Sequence, residues 1–164
     1  MNIILIGMPL SGKSQTGAYL AQRLNYFFYD SDELLKQKFG SIKDAFSNGE
    51  EAFRNAENQV IEALLEKKDC VVSSGGGLVT TKKGRELIKK FDCVIYLECS
   101  LDVLTERFVF DDDRPLLKGK DDVVLLFKKR KSYYSSLASF SLSSDNASPL
   151  ELAKAAEQTI RMLF

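Results

Sequence analysis

One stretch near the start of the chain limits the possible folds more than any other. Residues 7–14 read G-M-P-L-S-G-K-S, which matches the pattern G-x-x-x-x-G-K-[ST], and they follow the wholly apolar run Ile3–Ile6. In this pattern the glycines let backbone N–H groups curl around phosphate oxygens, the lysine reaches the β- and γ-phosphates, and the hydroxyl is a ligand for Mg²⁺. A helix that begins near the lysine adds the positive end of its dipole. We therefore predict a nucleotide-binding loop, formed by Ser11, Gly12, Lys13, Ser14 and Gln15.

The rest of the chain alternates between short apolar runs and segments of helical periodicity. The runs predicted as strands are Ile3–Ile6, Tyr26–Tyr29, Cys70–Ser73, Cys93–Leu97 and Phe140–Leu142. Helices are predicted after the loop and over 41–48, 50–67, 83–91, 100–108 and 123–137, and a last helix begins at S-P-x-E over 148–151. This alternation is typical of an α/β fold with a mainly parallel sheet, and 164 residues suit one domain. Such sheets bind ligands beyond the carboxyl ends of their strands.

Composition excludes several kinds of site. The chain has no histidine, which removes Ser-His-Asp and Cys-His catalysis and every histidine-containing zinc site. A general base must then be a carboxylate, a lysine, a tyrosine or a cysteine. The 23 basic residues balance 23 acidic ones, which argues against a nucleic-acid partner. The three cysteines form no C-x-x-C pair, so we expect Cys70 and Cys93 to be reduced core residues of a cytoplasmic protein. No apolar run is long enough for a membrane span.

Three further segments place polar residues or glycines where strands end or helices begin. Residues 30–32 read D-S-D after the second strand; the two carboxylates share a face if the strand continues, or one of them caps a helix. Asp30 is the better candidate to approach Mg²⁺. Arg54 and Glu57 are neighbours on a helix, either as an ordinary ion pair or as part of a site. Gly75–Gly77 follows the third strand; one glycine suffices for a positive-φ turn, so three suggest that a ligand approaches the backbone.

A charged segment interrupts the alternation in the C-terminal half. Asp111–Asp113 precedes Arg114 and a proline, and we predict a lid over about 109–120. An arginine on a closing loop neutralises charge that develops on a transferring phosphoryl group, although a solvated loop charge is the simpler interpretation. Arg130 and Tyr134 are one helical turn apart, so both are candidates to face a cleft. The basic run 128–131 is typical of a solvated helix face.

Together, these motifs resemble those of the shikimate kinase family. They occur in the family's order: Gly7–Ser14, Asp30–Asp32, F-x-x-G-E-x-x-F-R-x-x-E over 46–57, Gly75–Gly77, R-P-L-L over 114–117 and R-x-x-x-Y over 130–134. The resemblance implies a three-layer P-loop kinase fold, with helices on both faces of a five-stranded parallel sheet of order 2-3-1-4-5. It implies one kinase domain over 1–164, with a substrate-binding subdomain over about 31–60 and the lid. It also implies phosphorylation of the shikimate 3-hydroxyl by ATP with Mg²⁺, in a monomer.

The resemblance further implies a role for each matching residue. Asp32 would hold the shikimate hydroxyls and accept the proton, while Ser14 and Asp30 would serve Mg²⁺. Arg107 would lie near adenine and Arg114 would reach the phosphates of ATP. The implied catalytic residues are Asp32, Lys13 and Arg114. The implied shikimate-binding residues are Asp32, Arg54, Gly75, Gly76, Gly77 and Arg130, with the two arginines on the carboxylate.

Some features depart from the family pattern, and two other functions stay open at this point. Leu10 stands where the family frequently has glycine, and Gln15 replaces the usual second serine or threonine. The lid is unusually acidic at Asp111–Asp113, so we expect slow closure over ATP and a lower KM for ATP when the three charges are neutralised. The other functions are phosphorylation of a different small molecule, such as gluconate, and a catalytically silent nucleotide-binding module.

Overall fold

A parallel sheet of five strands, in the order 2-3-1-4-5, forms the middle layer of the computed structural model, which describes residues 1–164. The strands are β1 (Asn2–Ile6), β2 (Phe27–Asp30), β3 (Cys70–Ser73), β4 (Cys93–Glu98) and β5 (Phe140–Ser143). The central strand β1 pairs Ile4 with Val72 on one side and with Val94 on the other. The predicted strands, their parallel pairing and their order are confirmed.

Eight helices connect and flank the strands. They are α1 (Lys13–Leu24), α2 (Ser31–Phe39), α3 (Ile42–Ala45), α4 (Glu50–Leu65), α5 (Lys82–Ile88), α6 (Leu101–Arg107), α7 (Lys120–Leu137) and α8 (Pro149–Leu163), with a 3-10 turn at Leu78–Thr80. Helix α2 is absent from the sequence prediction. Helix α7 begins three residues earlier than predicted, because the Asp122 carboxylate accepts hydrogen bonds from the N–H groups of Lys118 and Gly119 (2.9 and 3.1 Å).

The two faces of the sheet are buried under different helices. Successive side chains of a strand point to opposite faces, so Ile4 and Ile6 of β1 enter one core and Ile3 and Leu5 enter another. Residues of α4, α5 and α7 complete the first core, and residues of α1 and α8 complete the second. Burial on both faces explains why β1 is apolar from Ile3 to Ile6, and it confirms the three predicted layers.

A third, smaller core lies within the segment predicted as the substrate-binding subdomain. Its members come from α2, α3 and α4: Leu35, Ile42, Ala45, Phe53 and Ala56. Helix α3 begins where predicted, because the Ser41 hydroxyl accepts a hydrogen bond from the Asp44 N–H (2.9 Å). The rings of Phe46 and Phe53 stack with their centroids 4.1 Å apart. The bounds of the subdomain stay a prediction.

The cysteines belong to the packed interior. Cys70, Cys93 and Cys99 are all free thiols and all buried. Cys70 lies in the first core and Cys93 in the second, so the prediction that both are core residues is confirmed. None of the helices combines the length and the apolar character that a membrane crossing requires.

Candidate active site

The predicted phosphate-binding loop joins β1 to α1 and owes its shape to main-chain geometry. Gly7 and Gly12 have φ angles of 148° and 87°. A Cβ at Gly7 would lie 2.7 Å from the carbonyl oxygen of Leu97, so only glycine fits at that position. Helix α1 begins at Lys13 with no side-chain cap and no acidic residue in its first turn. Its first N–H groups are therefore available to an anion, as predicted.

Lys13 is a desolvated cation beside this helix end. Its ammonium donates a hydrogen bond to the carbonyl oxygen of Met8 (2.7 Å), and the side chain is buried. Burial lowers the pKa of Lys13 to about 8, although Asp32 and Asp30 act in the opposite direction. A bound polyphosphate would supply further negative charge and favour the protonated amine.

Asp30, the last residue of β2, joins the loop to the helix that follows. Its Oδ2 atom accepts a hydrogen bond from the Ser14 hydroxyl (2.5 Å), and its Oδ1 atom accepts from the N–H groups of Asp32 (2.9 Å) and Glu33 (3.3 Å). Asp30 is therefore the cap of α2. Because α2 begins at Ser31, the strand does not continue to Asp32. Of the two alternatives that the sequence left open, the shared strand face is wrong and helix capping, by Asp30, is confirmed. The first helical turn instead places Asp32 on the central cavity.

The oxygens of Ser14 and Asp30 fit a magnesium ion. Mg²⁺ prefers oxygen ligands, and proteins usually hold it with one or two side chains while substrate phosphates and water complete its coordination. No group of three or more His, Cys, Asp or Glu residues is arranged as a metal site. The two residues named from the sequence for this ion lie side by side, since the Ser14 hydroxyl donates to Asp30.

Two buried arginines face a cavity of about 440 Å³ next to the loop. Arg54 is 6% exposed and Arg130 is 3% exposed. Arg54 donates a hydrogen bond to Oε2 of Glu57 (2.8 Å), and its guanidinium lies 5.1 Å from the centroid of the Phe53 ring. The Nε atoms of both arginines and Oε1 of Glu57 have no partner. Buried donors without acceptors at an open cavity predict an anionic ligand.

None of Gly75–Gly77 has a positive φ, so backbone dihedrals do not require glycine at these positions. A Cβ at Gly75 would overlap the Glu57 carboxylate, and a Cβ at Gly77 would overlap the Arg54 guanidinium. The alternative interpretation from the sequence, in which this segment forms a turn that needs a positive φ, is therefore wrong. The chain's own charged side chains approach Gly75 and Gly77 closely, and the approach of a ligand to this segment stays a prediction.

The middle glycine connects this segment to α7. A Cβ at Gly76 would lie 2.7 Å from Cδ of Pro9 in the phosphate-binding loop. The carbonyl oxygen of Gly76 accepts a hydrogen bond from the hydroxyl of Tyr134 (2.6 Å), one helical turn beyond Arg130. Both α7 residues are buried, but only Arg130 lines the cavity, so the prediction that both face the cleft is confirmed for Arg130 and not for Tyr134. Burial raises the pKa of Tyr134, which keeps the hydroxyl protonated as a donor.

Two carboxyl groups share the cavity region with the arginines. Burial raises the pKa of Glu57 to about 7, although Arg54 opposes this effect. Burial also raises the pKa of Asp32; the negative charge of Asp30 adds to the rise, and Lys13 opposes it. A carboxylate with a raised pKa is a stronger proton acceptor than one in water, so both groups have the chemistry of a general base.

The family model for shikimate kinase matches residues 9–163. The chain belongs to the shikimate kinase family. It is 40% identical over 156 residues to the shikimate kinase of Sulfurihydrogenibium sp. (strain YO3AOP1), covering 93% of each chain. It is 38% identical over 168 residues to that of Legionella pneumophila (strain Corby), covering 99% of this chain and 94% of the relative.

Solved structures of shikimate kinases superpose closely. The shikimate kinase from Acinetobacter baumannii in complex with shikimate matches with a TM-score of 0.93 and 31% identity, covering 98% of this chain and 93% of that one. The shikimate kinase from Aquifex aeolicus matches with a TM-score of 0.86 and 34% identity, covering 98% and 96%. The predicted family, fold and enzyme class are confirmed. Membership in this kinase family also supports the use of a nucleotide and a small-molecule substrate.

In this shikimate kinase family member the acidic lid segment rests on α2 and α3. Oδ1 of Asp113 accepts hydrogen bonds from the N–H groups of Ile42 (2.7 Å) and Lys43 (3.1 Å). Oδ2 of Asp113 lies 3.4 Å from the Lys36 ammonium, and Asp112 lies 2.6 Å from that of Lys43. Asp112 and Asp113 therefore attach the segment predicted as the lid to α2 and α3. Neutralising these aspartates should therefore raise the KM for ATP, whereas the acidic sequence alone led us to expect a lower KM.

The two predicted nucleotide-side arginines differ in their surroundings. Arg114 lines the cavity and lies 3.4 Å from Asp111, with more than a third of its side chain exposed. Arg107 does not line the cavity. Its guanidinium donates to the carbonyl oxygens of Leu10 (3.2 Å) and Ser144 (2.6 Å), which joins the phosphate-binding loop to the end of β5.

One cavity brings together most of the residues predicted for the shikimate kinase site. Those that line it are Gly12, Lys13, Ser14, Gln15, Asp32, Arg54, Gly75, Gly76, Gly77, Arg114 and Arg130. Ser11, Asp30 and Arg107 do not line it, and Ser11 is fully buried. Glu57 and Asp113 line the cavity without having been predicted as site residues. The spacing of Glu57 from Arg54 was a usable signal, whereas no local pattern indicates the long-range contacts of Asp113.

Proposed function

We propose that this protein transfers the γ-phosphoryl group of ATP to the 3-hydroxyl of shikimate, giving shikimate 3-phosphate and ADP. One observation carries the proposal: two buried guanidinium groups and a buried carboxyl group lie in the same cavity as the lysine of the phosphate-binding loop. That arrangement suits an acceptor with one carboxylate and several hydroxyls. The close match to a shikimate kinase in complex with shikimate supports this choice of acceptor.

On the nucleotide side, the main-chain donors at the start of α1 and the Lys13 ammonium bind the phosphates. Ser11, Gly12, Ser14 and Gln15 contribute through the loop and the first helical turn. Arg114 on the lid adds a positive charge toward the transferring group. The transition state of phosphoryl transfer is largely dissociative, so positioning and charge neutralisation account for most of the rate.

Ser14 and Asp30 would hold Mg²⁺ together with the phosphates. When bound, the ion neutralises negative charge on the phosphate oxygens. Asp30 also caps α2 and so links this pair to Asp32, because one Asp30 oxygen accepts from the Asp32 N–H while the other accepts from Ser14. Asp30 therefore positions both Ser14, its partner at the proposed Mg²⁺ site, and Asp32, the proposed proton acceptor.

On the acceptor side, Arg54 and Arg130 bind the carboxylate of shikimate, and Asp32 orients a hydroxyl. The raised pKa of Asp32 makes its carboxylate a suitable acceptor for the proton that this hydroxyl loses as the oxygen attacks phosphorus. Gly75–Gly77 leave the space in which Glu57 and Arg54 lie, so the clamp is fixed before the acceptor arrives. With no histidine in the chain, Asp32 is our candidate for the base.

We also propose a monomer that acts in the cytoplasm without a nucleic-acid partner. The three thiols are free and buried, which suits a reducing compartment. The basic run 128–131 does not form a continuous charged face, because Arg130 points inward while its neighbours are exposed. The formal net charge is zero.

The test is a coupled assay of ADP release with ATP and Mg²⁺ against a panel of acceptors. The panel contains shikimate, gluconate and several nucleoside monophosphates, and the product is identified by mass and by the position of its phosphate. We expect turnover with shikimate alone and phosphate on the 3-hydroxyl. Activity with gluconate alone would replace the acceptor, and ATP binding without turnover on any acceptor would favour a silent nucleotide-binding module.

A further inference from the structure

One leucine in the phosphate-binding loop adopts a backbone conformation that favours glycine. Leu10 has a φ of 72°, in the left-handed region where a side chain with a Cβ is strained. The N–H of Ser11 donates to the carbonyl oxygen of Met8 (3.3 Å), which closes a four-residue turn with Pro9 second and Leu10 third. A turn with proline at its second position and a positive φ at its third is of type II, and its third residue is usually glycine or asparagine. Surrounding contacts must therefore hold Leu10 in place.

The Leu10 side chain packs against the first core. A second contact, on its carbonyl oxygen, comes from Arg107 at the end of α6. One nitrogen of its guanidinium donates to the carbonyl oxygen of Leu10 (3.2 Å), and another donates to that of Ser144 (2.6 Å). Ser144 is buried, and its own N–H donates to a carbonyl of β4 (2.8 Å), so it is a fixed point beyond the end of β5. The peptide group between Leu10 and Ser11 is thus held on both sides, its N–H by the turn and its C=O by Arg107.

We propose that Arg107 is a positioning residue for the phosphate-binding loop, which it serves by keeping Leu10 in the left-handed conformation. The next groups along the chain are the N–H of Gly12 and the first N–H groups of α1, the donors for phosphate. Rotation of the peptide between Leu10 and Ser11 would change where these donors point. The inference rests on the proposed function only in requiring that this loop binds nucleotide phosphates.

This role differs from contact with the adenine base, which the family resemblance implies for the same arginine. A base contact strengthens the binding of ATP but leaves a ligand without a base unaffected. If Arg107 positions the loop, its loss should weaken the binding of ATP and of a polyphosphate without a base alike. The loss should matter less when the residue at position 10 adopts the left-handed conformation without help. Glycine adopts a positive φ without strain, so the substitution Leu10→Gly separates the two roles.

The experiment is a double-mutant cycle read by isothermal titration calorimetry on the full chain. The Kd values for ATP and for inorganic tripolyphosphate, both with Mg²⁺, are measured with and without Arg107→Ala, in the Leu10 and in the Leu10→Gly backgrounds. In the Leu10 background we expect Arg107→Ala to weaken both ligands by a similar factor, roughly 5- to 30-fold, from the cost of a left-handed L-residue. In the Leu10→Gly background the factor should be at least about threefold smaller for both.

Arg114→Ala is the matched control, because the lid arginine has no hydrogen bond to Leu10; its effect on both Kd values should be equal in the two backgrounds. A loss confined to ATP, or a loss from Arg107→Ala that is the same in both backgrounds, overturns the proposal. If Arg107→Ala does not fold, Arg107→Lys keeps the charge without the planar group that joins two carbonyls, and it is read in the same way. No acceptor is present in these titrations, so inactivity on shikimate would refute the proposed function without touching this result.

Discussion

The phosphate-binding loop and the acceptor side of the cavity are built by different means. The loop takes its shape from main-chain dihedrals within eight consecutive residues, and it brings one charged side chain, Lys13. The acceptor side is assembled from four separate segments, and its shape comes from buried charged groups packed against glycines. The lid adds a third kind of construction, since it is held by ion pairs at the surface.

The comparison shows why the two sides respond differently to change. A loop defined by backbone geometry tolerates the replacement of exposed side chains, as long as the glycines and the lysine remain. A pocket of buried charges depends on each partner, because removing one leaves the other desolvated without compensation. Substitutions on the acceptor side, in the phosphate-binding loop and in the lid should therefore change different measurable properties of the protein.

The largest expected effect is on the acceptor side, from Asp32→Asn. Asparagine keeps the shape of the side chain but cannot take up the hydroxyl proton, so we expect kcat to fall by about 10²- to 10⁴-fold. The Kd for ATP should stay within about threefold, because the phosphate-binding loop keeps its own contacts. Steady-state kinetics with shikimate and calorimetric titration with ATP measure the two quantities.

The matched control is Asp102→Asn on the exposed side of α6, which makes no side-chain hydrogen bond in the structure and should leave both quantities unchanged. If Asp32→Asn kept near-normal turnover, the carboxylate would not be the proton acceptor. If it lost ATP affinity as strongly as turnover, the separation of the two sides would be wrong.

The second effect concerns the buried charge of Glu57 and appears as pH-dependent stability. The folded chain holds a proton on this group up to about pH 7, whereas the unfolded chain releases it near its ordinary pKa of 4.5. The folded state binds more protons between these values, so the free energy of unfolding falls as pH rises, by up to about 3 kcal/mol from this group. Urea unfolding at several pH values from about 5 to 8 measures the slope.

Glu57→Gln is the comparison variant, since it keeps the size of the side chain and cannot titrate. At low pH the parent carries a neutral carboxyl group at this position, so the stability of the variant should be close to that of the parent, and the contribution of this group to the slope should vanish. Asp32 also has a raised pKa and contributes a slope of the same sign, which the variant retains. Identical slopes in the two proteins would show that the buried carboxyl group does not titrate in this range.

The same division separates what the sequence could predict from what it could not. The strands and the phosphate-binding loop follow from apolar runs and a contiguous motif, which are local signals. The strand order and most of the cavity residues came from the family resemblance. Helix α2 was not predicted, because the D-S-D segment fits a strand end as well as a helix start. Only the hydrogen bonds of Asp30 decide between the two. The reason for Gly75–Gly77 and the partners of Asp113 also escaped, since each depends on groups tens of residues away in the chain.

The third effect belongs to the phosphate-binding loop. Burial holds the pKa of Lys13 at about 8 in the free protein, and phosphate favours its charged form. Above pH 8 the free protein must take up a proton to bind ATP, so the Kd should rise by about tenfold between pH 7 and 9. Lys13→Met should bind ATP weakly at every pH in this range without that dependence. A flat profile in the parent protein would mean that the buried ammonium keeps its charge.

The smallest expected effect is at the lid, from Asp112→Asn combined with Asp113→Asn. The contacts to Lys36, Lys43 and the start of α3 are partly exposed, and exposed ion pairs contribute little to stability. Loss of these contacts favours an open lid and draws Arg114 away from the nucleotide, so the KM for ATP should rise by about two- to fivefold.

Two features identify the surface ion pairs as the cause. The difference between the double variant and the parent should shrink at high salt, because screening weakens the same contacts in the parent. Asp112→Lys alone should raise the KM for ATP above that of the parent, because it places two positive charges together. Combining it with Lys43→Asp rebuilds the attraction with opposite signs, so the KM of this charge exchange should return close to the parent value. A fall in KM on neutralising the aspartates would mean that repulsion of ATP by the acidic lid outweighs its attachment to the helices. The acidic sequence alone suggests that result, and the structure argues against it.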